Sequence, residues 1–186
     1  KELQERGISS PSRCTFYPID EPDLQYETYQ SAITLGVVEN FGFNQIISRL
    51  TQTLKGRTLL LIDRIKQGEL LESLIPGSEF VYGEDTDEDR QRCIELLKKS
   101  EQCVIICQQR ICSAGIDLKI HNLVNCFSIK SQHSLTQRLG RGLRTASDKE
   151  MLNYYDFKFS NNTYLQKHSI QRIKILEEEG HEVIIK

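Results

Sequence analysis

At 186 residues, 38% hydrophobic and 27% charged, the chain is long enough to bury one good-sized core. It has no apolar run of the roughly 18 residues needed to span a bilayer, and its charged start, "KELQERG", is not a signal peptide, so a cytoplasmic protein is expected. A formal net charge of −2 excludes a globally basic field, so any contact with nucleic acid must come from a local patch.

Residues 1–30 hold three of the four prolines, in "SSPSRCTFYPIDEPD", and read as an extended arm or linker. "YETYQSAITLGVVENFGFNQIISRLTQTLKG" reads as helical with a break near Gly42. From residue 57 onward strand-like and helix-like segments alternate. "RTLLLID" (57–63) is a short apolar run expected as a buried strand, and "RIKQGELLESL" (64–74) has helical spacing. "SEFVYG" (78–83) is a second strand. In "DTDEDRQRCIELLKKSE", Thr86 is placed to cap a helix whose first turn is acidic and whose last turn carries lysines, as the helix dipole prefers. "QCVIICQ" (102–108), "HNLVNCFSI" (121–129) and "MLNYYDFKF" (151–159) are further strands. "YLQKHSIQRIKILEEEG" (164–180) is a long closing helix, and "HEVIIK" an edge strand. This alternation implies βαβ units, a mostly parallel sheet and ligand binding beyond the carboxyl ends of the strands.

The six cysteines, Cys14, Cys93, Cys103, Cys107, Cys112 and Cys126, form no CxxC pair, and several lie in apolar runs such as "CVIIC". That pattern reads as reduced, buried thiols of an intracellular protein. Cys103 and Cys107 lack partners at ligand spacing, so no metal site is expected from them.

The densest basic patch is "SLTQRLGRGLR", residues 134–144. Ser134-x-x-Gln137 is a capping-box pattern that starts a helix. At 3.6 residues per turn Leu135, Leu139 and Leu143 form one stripe, while Gln137, Arg141 and Arg144 share the opposite face. Two guanidiniums side by side with no acid within the helix call for an anion between them. Their forks suit phosphate oxygens and charge developing on a transferring phosphoryl group. Gly140 lies beside the arginine face, where a missing side chain gives a ligand clearance, and Gly142 lies nearer the packed side. The plainer reading is a solvated basic helix face. "DEDR" (87–90) resembles a magnesium-binding DExx box only in letters, because it opens a helix instead of ending a buried strand. No G-x-x-x-x-G-K-[ST] occurs, so the chain has no phosphate-cradling loop of its own.

These residues resemble a known family. "QRLGRGLR" is similar to motif VI of superfamily 2 helicases, and "VIICQQRICSAGIDL" (104–118) to motif V. "TLLLIDRIKQGELLESL" is similar to motif IV with its following helix. The order fits the second RecA-like motor domain over about residues 55–158. The opening and closing segments resemble phage and bacterial DNA-repair helicases of the UvsW type.

The resemblance implies an α/β fold: a RecA-like parallel β-sheet sandwiched by helices, of the P-loop NTPase type but lacking its own P-loop. It implies three parts: residues 1–30 as an arm from a first motor domain, 31–160 as the RecA-like domain, and 161–186 as an appended helix and edge strand. Arg141 and Arg144 match the arginine fingers. Gln137, Gly140, Gly115 and Asp117 match nucleotide-contacting positions, although Asp117 also reads as a simple turn cap. Gln108, Arg110, Ser113, Arg64 and Lys130 sit where the family touches the nucleic-acid backbone. The implied cofactor is ATP with Mg2+, the metal held mainly by the first domain. The implied partners are DNA, with RNA not excluded, and an N-terminal RecA-like domain of the same protein; no membrane partner is implied. The implied activity is ATP-dependent helicase action in DNA repair and recombination, in a bacterial or phage-infected cell, with residues 1–186 inactive alone. Alternatives are a stand-alone RecA-like module that binds nucleic acid or protein without ATPase activity, and a motor that translocates on duplex without separating strands.

Overall fold

The computed structural model describes residues 12–20, 26–83, 87–108, 120–128 and 151–186. Seven strands form one sheet: β1 (Ser12–Ile19), β2 (Arg57–Ile62), β3 (Glu79–Val81), β4 (Cys103–Gln108), β5 (Asn122–Asn125), β6 (Leu152–Phe159) and β7 (Glu182–Ile185). Their order is β3-β4-β2-β5-β6-β1-β7, and every pairing is parallel. Among the described residues the helices are α1 (Tyr29–Ile33), α2 (Phe41–Thr53), α3 (Ile65–Leu74), α4 (Asp87–Lys99) and α5 (Thr163–Glu178), with a π turn over Thr34–Val38 between α1 and α2.

Each residue of β2, "RTLLLI", is buried, so both faces of the pleat are covered, as a parallel sheet requires. Leu60, Ile62, Ile106, Leu123 and Val124 fill the centre. Phe43 from α2 meets Phe157 of β6 edge-on, with ring centroids 4.9 Å apart. Among the described residues, the strands and helices expected from residue 57 onward are present, within a few residues of the sequence boundaries; the helix expected to start at Ser134 lies outside them. Thr86 lies outside the described residues.

Three expectations change. First, the proline-rich opening is not wholly an arm: Ser12–Ile19 is an inner strand, paired with β6 on one side and β7 on the other. Residues 161–186 are likewise not a mere appendage, since β7 extends the same sheet and α5 packs against β6 and β7. The Phe16 carbonyl accepts from Lys186 N–H, so alternate residues of β1 face β7. Pro18, two residues on, falls past the last β7 pair at Phe16–Ile185, where its missing N–H breaks no ladder bond.

Second, the helical break falls at Asn40, two residues before Gly42. The Asn40 side chain accepts from Phe43 N–H at 3.0 Å and starts α2 afresh. Third, Cys14, Cys93, Cys103 and Cys126 form no disulfide, whereas Cys107 is disulfide-bonded. Burial pushes the Cys14 thiol up to about 12 and Cys126 well above its ordinary value, so both stay protonated and inert.

No helix among the described residues is long and apolar enough to cross a membrane.

Candidate functional site

The strand order reverses between β2 and β5. The chain leaves β2 for β3 on one side of the sheet and leaves β5 for β6 on the other. In parallel α/β sheets that switch point opens a crevice beyond the carboxyl ends of the two strands. Here Asp63 and Arg64 follow β2, and Phe127 and Ser128 follow β5. Tyr29, Gln30 and Ile33 of α1 and Val38 of the π turn close the far wall, around a cavity of about 230 Å³.

The walls are held by buried amides. Asn44 of α2 donates through Nδ2 to the carbonyls of Val37, Val38 and Asn40, at 2.9, 3.3 and 2.8 Å, which ties down the π turn. Gln67 of α3 donates through Nε2 to Asn44 Oδ1 and to the Cys126 carbonyl, at 3.2 and 2.7 Å. The π turn and the end of β5 are thus fastened to the same two side chains. π turns occur often at functional sites. Tyr29 leans over the mouth: its hydroxyl donates to the Ser128 carbonyl at 3.4 Å, and its ring lies 5.2 Å from that of His168. His168 Nδ1 is 3.2 Å from Ser128 Oγ. Burial first, and then the Asp63 carboxylate, push the Tyr29 phenol above its ordinary value, so it remains a neutral donor.

Beneath the end of β5 lies a fully buried ion pair. Arg172 of α5 donates Nε and Nη2 to the two oxygens of Asp156 on β6, at 2.8 and 2.9 Å. Asp156 also accepts from Tyr154 Oη, from Asn125 Nδ2 and from Phe157 N–H. Burial works against the Arg172 charge, but the field and hydrogen bonds of Asp156 outweigh it and hold the guanidinium above its ordinary value. Asn125 Nδ2 also reaches the Phe127 carbonyl at 3.0 Å, which carries the network to the cavity wall.

Of the residues singled out in the sequence, Arg64 stands at this crevice. It is half-exposed, opens α3, and pairs with Asp63 through Nε–Oδ2 at 3.2 Å. Gln108 is not on a loop surface: it ends β4, is buried, and donates Nε2 to the Asp63 carbonyl at 3.0 Å. Its observed task is to fix the β2–α3 connection. Arg110, Ser113, Gly115, Asp117, Lys130, Gln137, Gly140, Arg141 and Arg144 lie outside the described residues. The segments that carry them depart from β4 and β5, the two neighbours of β2. Sequence reasoning did not single out Tyr29, Phe127 or Ser128. Phe127 and Ser128 fell inside the strand expected over 121–129, which in the structure ends at Asn125 and leaves both beyond its carboxyl end.

Residues 43–146 match the family model described as the helicase conserved C-terminal domain. The chain is 24% identical over 188 residues to the ATP-dependent DNA helicase uvsW of Enterobacteria phage T4, covering 88% of this chain and 37% of that protein. It therefore spans well under half of that relative. The crystal structure of T4 UvsW superposes with a TM-score of 0.79 at 21% identity, covering 94% of this chain and 41% of the other. The C-terminal domain of the DEAD-box protein Dbp5 gives 0.65 at 11% identity, covering 96% and 91%. At these identities the structural likenesses establish the fold, which is RecA-like.

Proposed function

Because the chain belongs to the helicase conserved C-terminal domain family, we propose that it is the second motor domain of an ATP-dependent DNA helicase or translocase. The observation that carries this reading is the matched span itself. Residues 43–146 include both the "SAGIDL" turn and the arginine stretch, and end two residues after Arg144.

Arg141 and Arg144 act as arginine fingers across the cleft between two motor domains. Gln137 and Gly140 belong to the same sequence stretch, and Gly115 and Asp117 to the segment that follows β4 in the chain. Together these six would hold the nucleotide. The four of them within residues 134–144 suit phosphate oxygens: two guanidiniums, an amide and a glycine, with no carboxylate in that stretch. ATP with Mg2+, the metal held mainly by the other domain, would supply the phosphoryl transfer that drives opening and closing. The guanidiniums stabilise charge on the transferring group, which rewards cleft closure. Arg64, Arg110, Ser113 and Lys130 contact the nucleic-acid backbone from the carboxyl ends of the strands, giving affinity without reading sequence. Gln108 supports that surface from below. Unwinding, DNA repair and recombination, and a cytoplasmic location belong to the same proposal.

The test uses the complete protein. Arg141→Ala should lower ATP hydrolysis by about 10³-fold or more while nucleotide affinity stays within a few-fold. Unchanged turnover would reject the finger assignment, and robust ATPase activity from residues 1–186 alone would reject the half-site reading.

A further inference from the structure

The crevice at the β2/β5 switch point has a lining that phosphate binding does not explain. Ile33, Val38 and Phe127 give it buried apolar walls, and the Tyr29 ring, 41% exposed, stands at its mouth. The charges near it cancel, because Asp63 pairs with Arg64. An anion entering the interior would meet a carboxylate, whereas an uncharged ring would meet apolar walls. For its edge there is the exposed Gln30 amide, which offers both a donor and an acceptor. At about 230 Å³ the cavity falls below the roughly 300–1,000 Å³ of pockets that enclose a whole drug-sized ligand, and suits one heterocycle. Its walls are pre-set by the Asn44–Gln67 amide network, so an occupant need not order them.

We propose that this cavity takes a single unstacked nucleobase of the bound strand, stacked against Tyr29, while Arg64 at the rim meets the adjoining phosphate. The proposal rests on the motor-domain reading for the presence of a strand, and goes beyond it in assigning a base contact to a surface otherwise read as gripping only backbone. Base stacking on an aromatic is tolerant of sequence, so such a contact suits a motor that must release and retake bases as it moves.

The experiment compares single-stranded binding by the complete protein to an oligothymidylate and to a fully abasic oligonucleotide of equal length and charge. Gln30→Trp fills the mouth from an exposed position without disturbing the core. Expected results are abasic binding weaker by about five- to hundredfold in the wild type, and equal binding of both strands, at the abasic level, by Gln30→Trp. Arg64→Ala should weaken both strands by the same factor.

Equal, salt-sensitive binding of both strands by the wild type would overturn the pocket and leave the motor reading standing. A base preference that survives Gln30→Trp would place the contact elsewhere and overturn it too. Binding of free AMP that Gln30→Trp abolishes would assign the cavity to a mononucleotide and overturn the strand source. Binding of neither strand would sink the proposal together with the reading beneath it.

Discussion

Arg172→Met should be among the most damaging single changes in the protein. The Asp156 carboxylate accepts five hydrogen bonds, two of them from Arg172, and both side chains are 1% exposed. Methionine keeps much of the aliphatic stem's volume but strands the carboxylate in the core without its counter-charge. Removing one partner of a buried pair costs about 3–5 kcal/mol, because the remaining charge is left desolvated. For a domain of this size 1 kcal/mol moves Tm by about 2–4 °C, so the expected fall is about 6–20 °C. Thermal and urea melts followed by circular dichroism would measure it. The double variant Asp156→Asn with Arg172→Met strands no charge and should be less destabilised than Arg172→Met alone. A fall of less than about 2 °C for the single variant, or a double variant worse than it, would refute the reasoning.

Two further outcomes follow from local geometry. Gly56 has φ of +85°, and a Cβ there would lie 2.7 Å from His121 Nδ1, the atom that accepts the Arg57 N–H. Gly77 has φ of +75°, and a Cβ there would meet nothing within 4 Å. Gly77→Ala should therefore lose only backbone strain, about 1–2 kcal/mol, and Gly56→Ala measurably more; equal urea midpoints for the two variants would contradict the His121 clash. Burial lowers the His181 pKa below its ordinary 6.5, and its Nδ1 lies 2.6 Å from Ser12 Oγ. Because the unfolded chain takes up the proton first, this contribution to stability is full above about 6.5 and is lost as pH falls through the lowered folded value. His181→Gln should flatten the decline of stability between neutral and mildly acidic pH; an undiminished decline would exclude His181 as its source.

The order of elements from residue 57 onward was legible because each carries a local cause. β2 and β4 are unbroken apolar runs, α4 has lysines closing its last turn, and α5 has regular apolar spacing. The role of Ser12–Ile19 was not legible. Pro18 within it and Pro11 and Pro22 on either side mark the segment as an arm, and only the register with β7 shows that Pro18 lies where no donor is required. Gln108 shows the same limit at a single residue: a polar side chain at a strand end reads as a loop contact, yet the fold turns it inward onto the Asp63 carbonyl. The cavity was illegible for a related reason. Tyr29, Val38, Asp63 and Phe127 are far apart in the chain, and no periodicity links them.

By itself the sequence determined the α/β class, the alternation of strands and helices among the described residues, and the composition of an arginine-bearing stretch at 134–144 that lies outside them. Those are local properties, set by burial patterns, caps and side-chain chemistry within a few turns of chain. The tertiary structure alone decided which strands lie side by side: that β1 is internal, that β2 and β5 meet at a reversal of strand order, and that Asp156, Arg172 and Asn125 converge beneath it. Strand order is set by long-range packing and crossover direction, which no short window of residues encodes, and the crevice exists only because of that order.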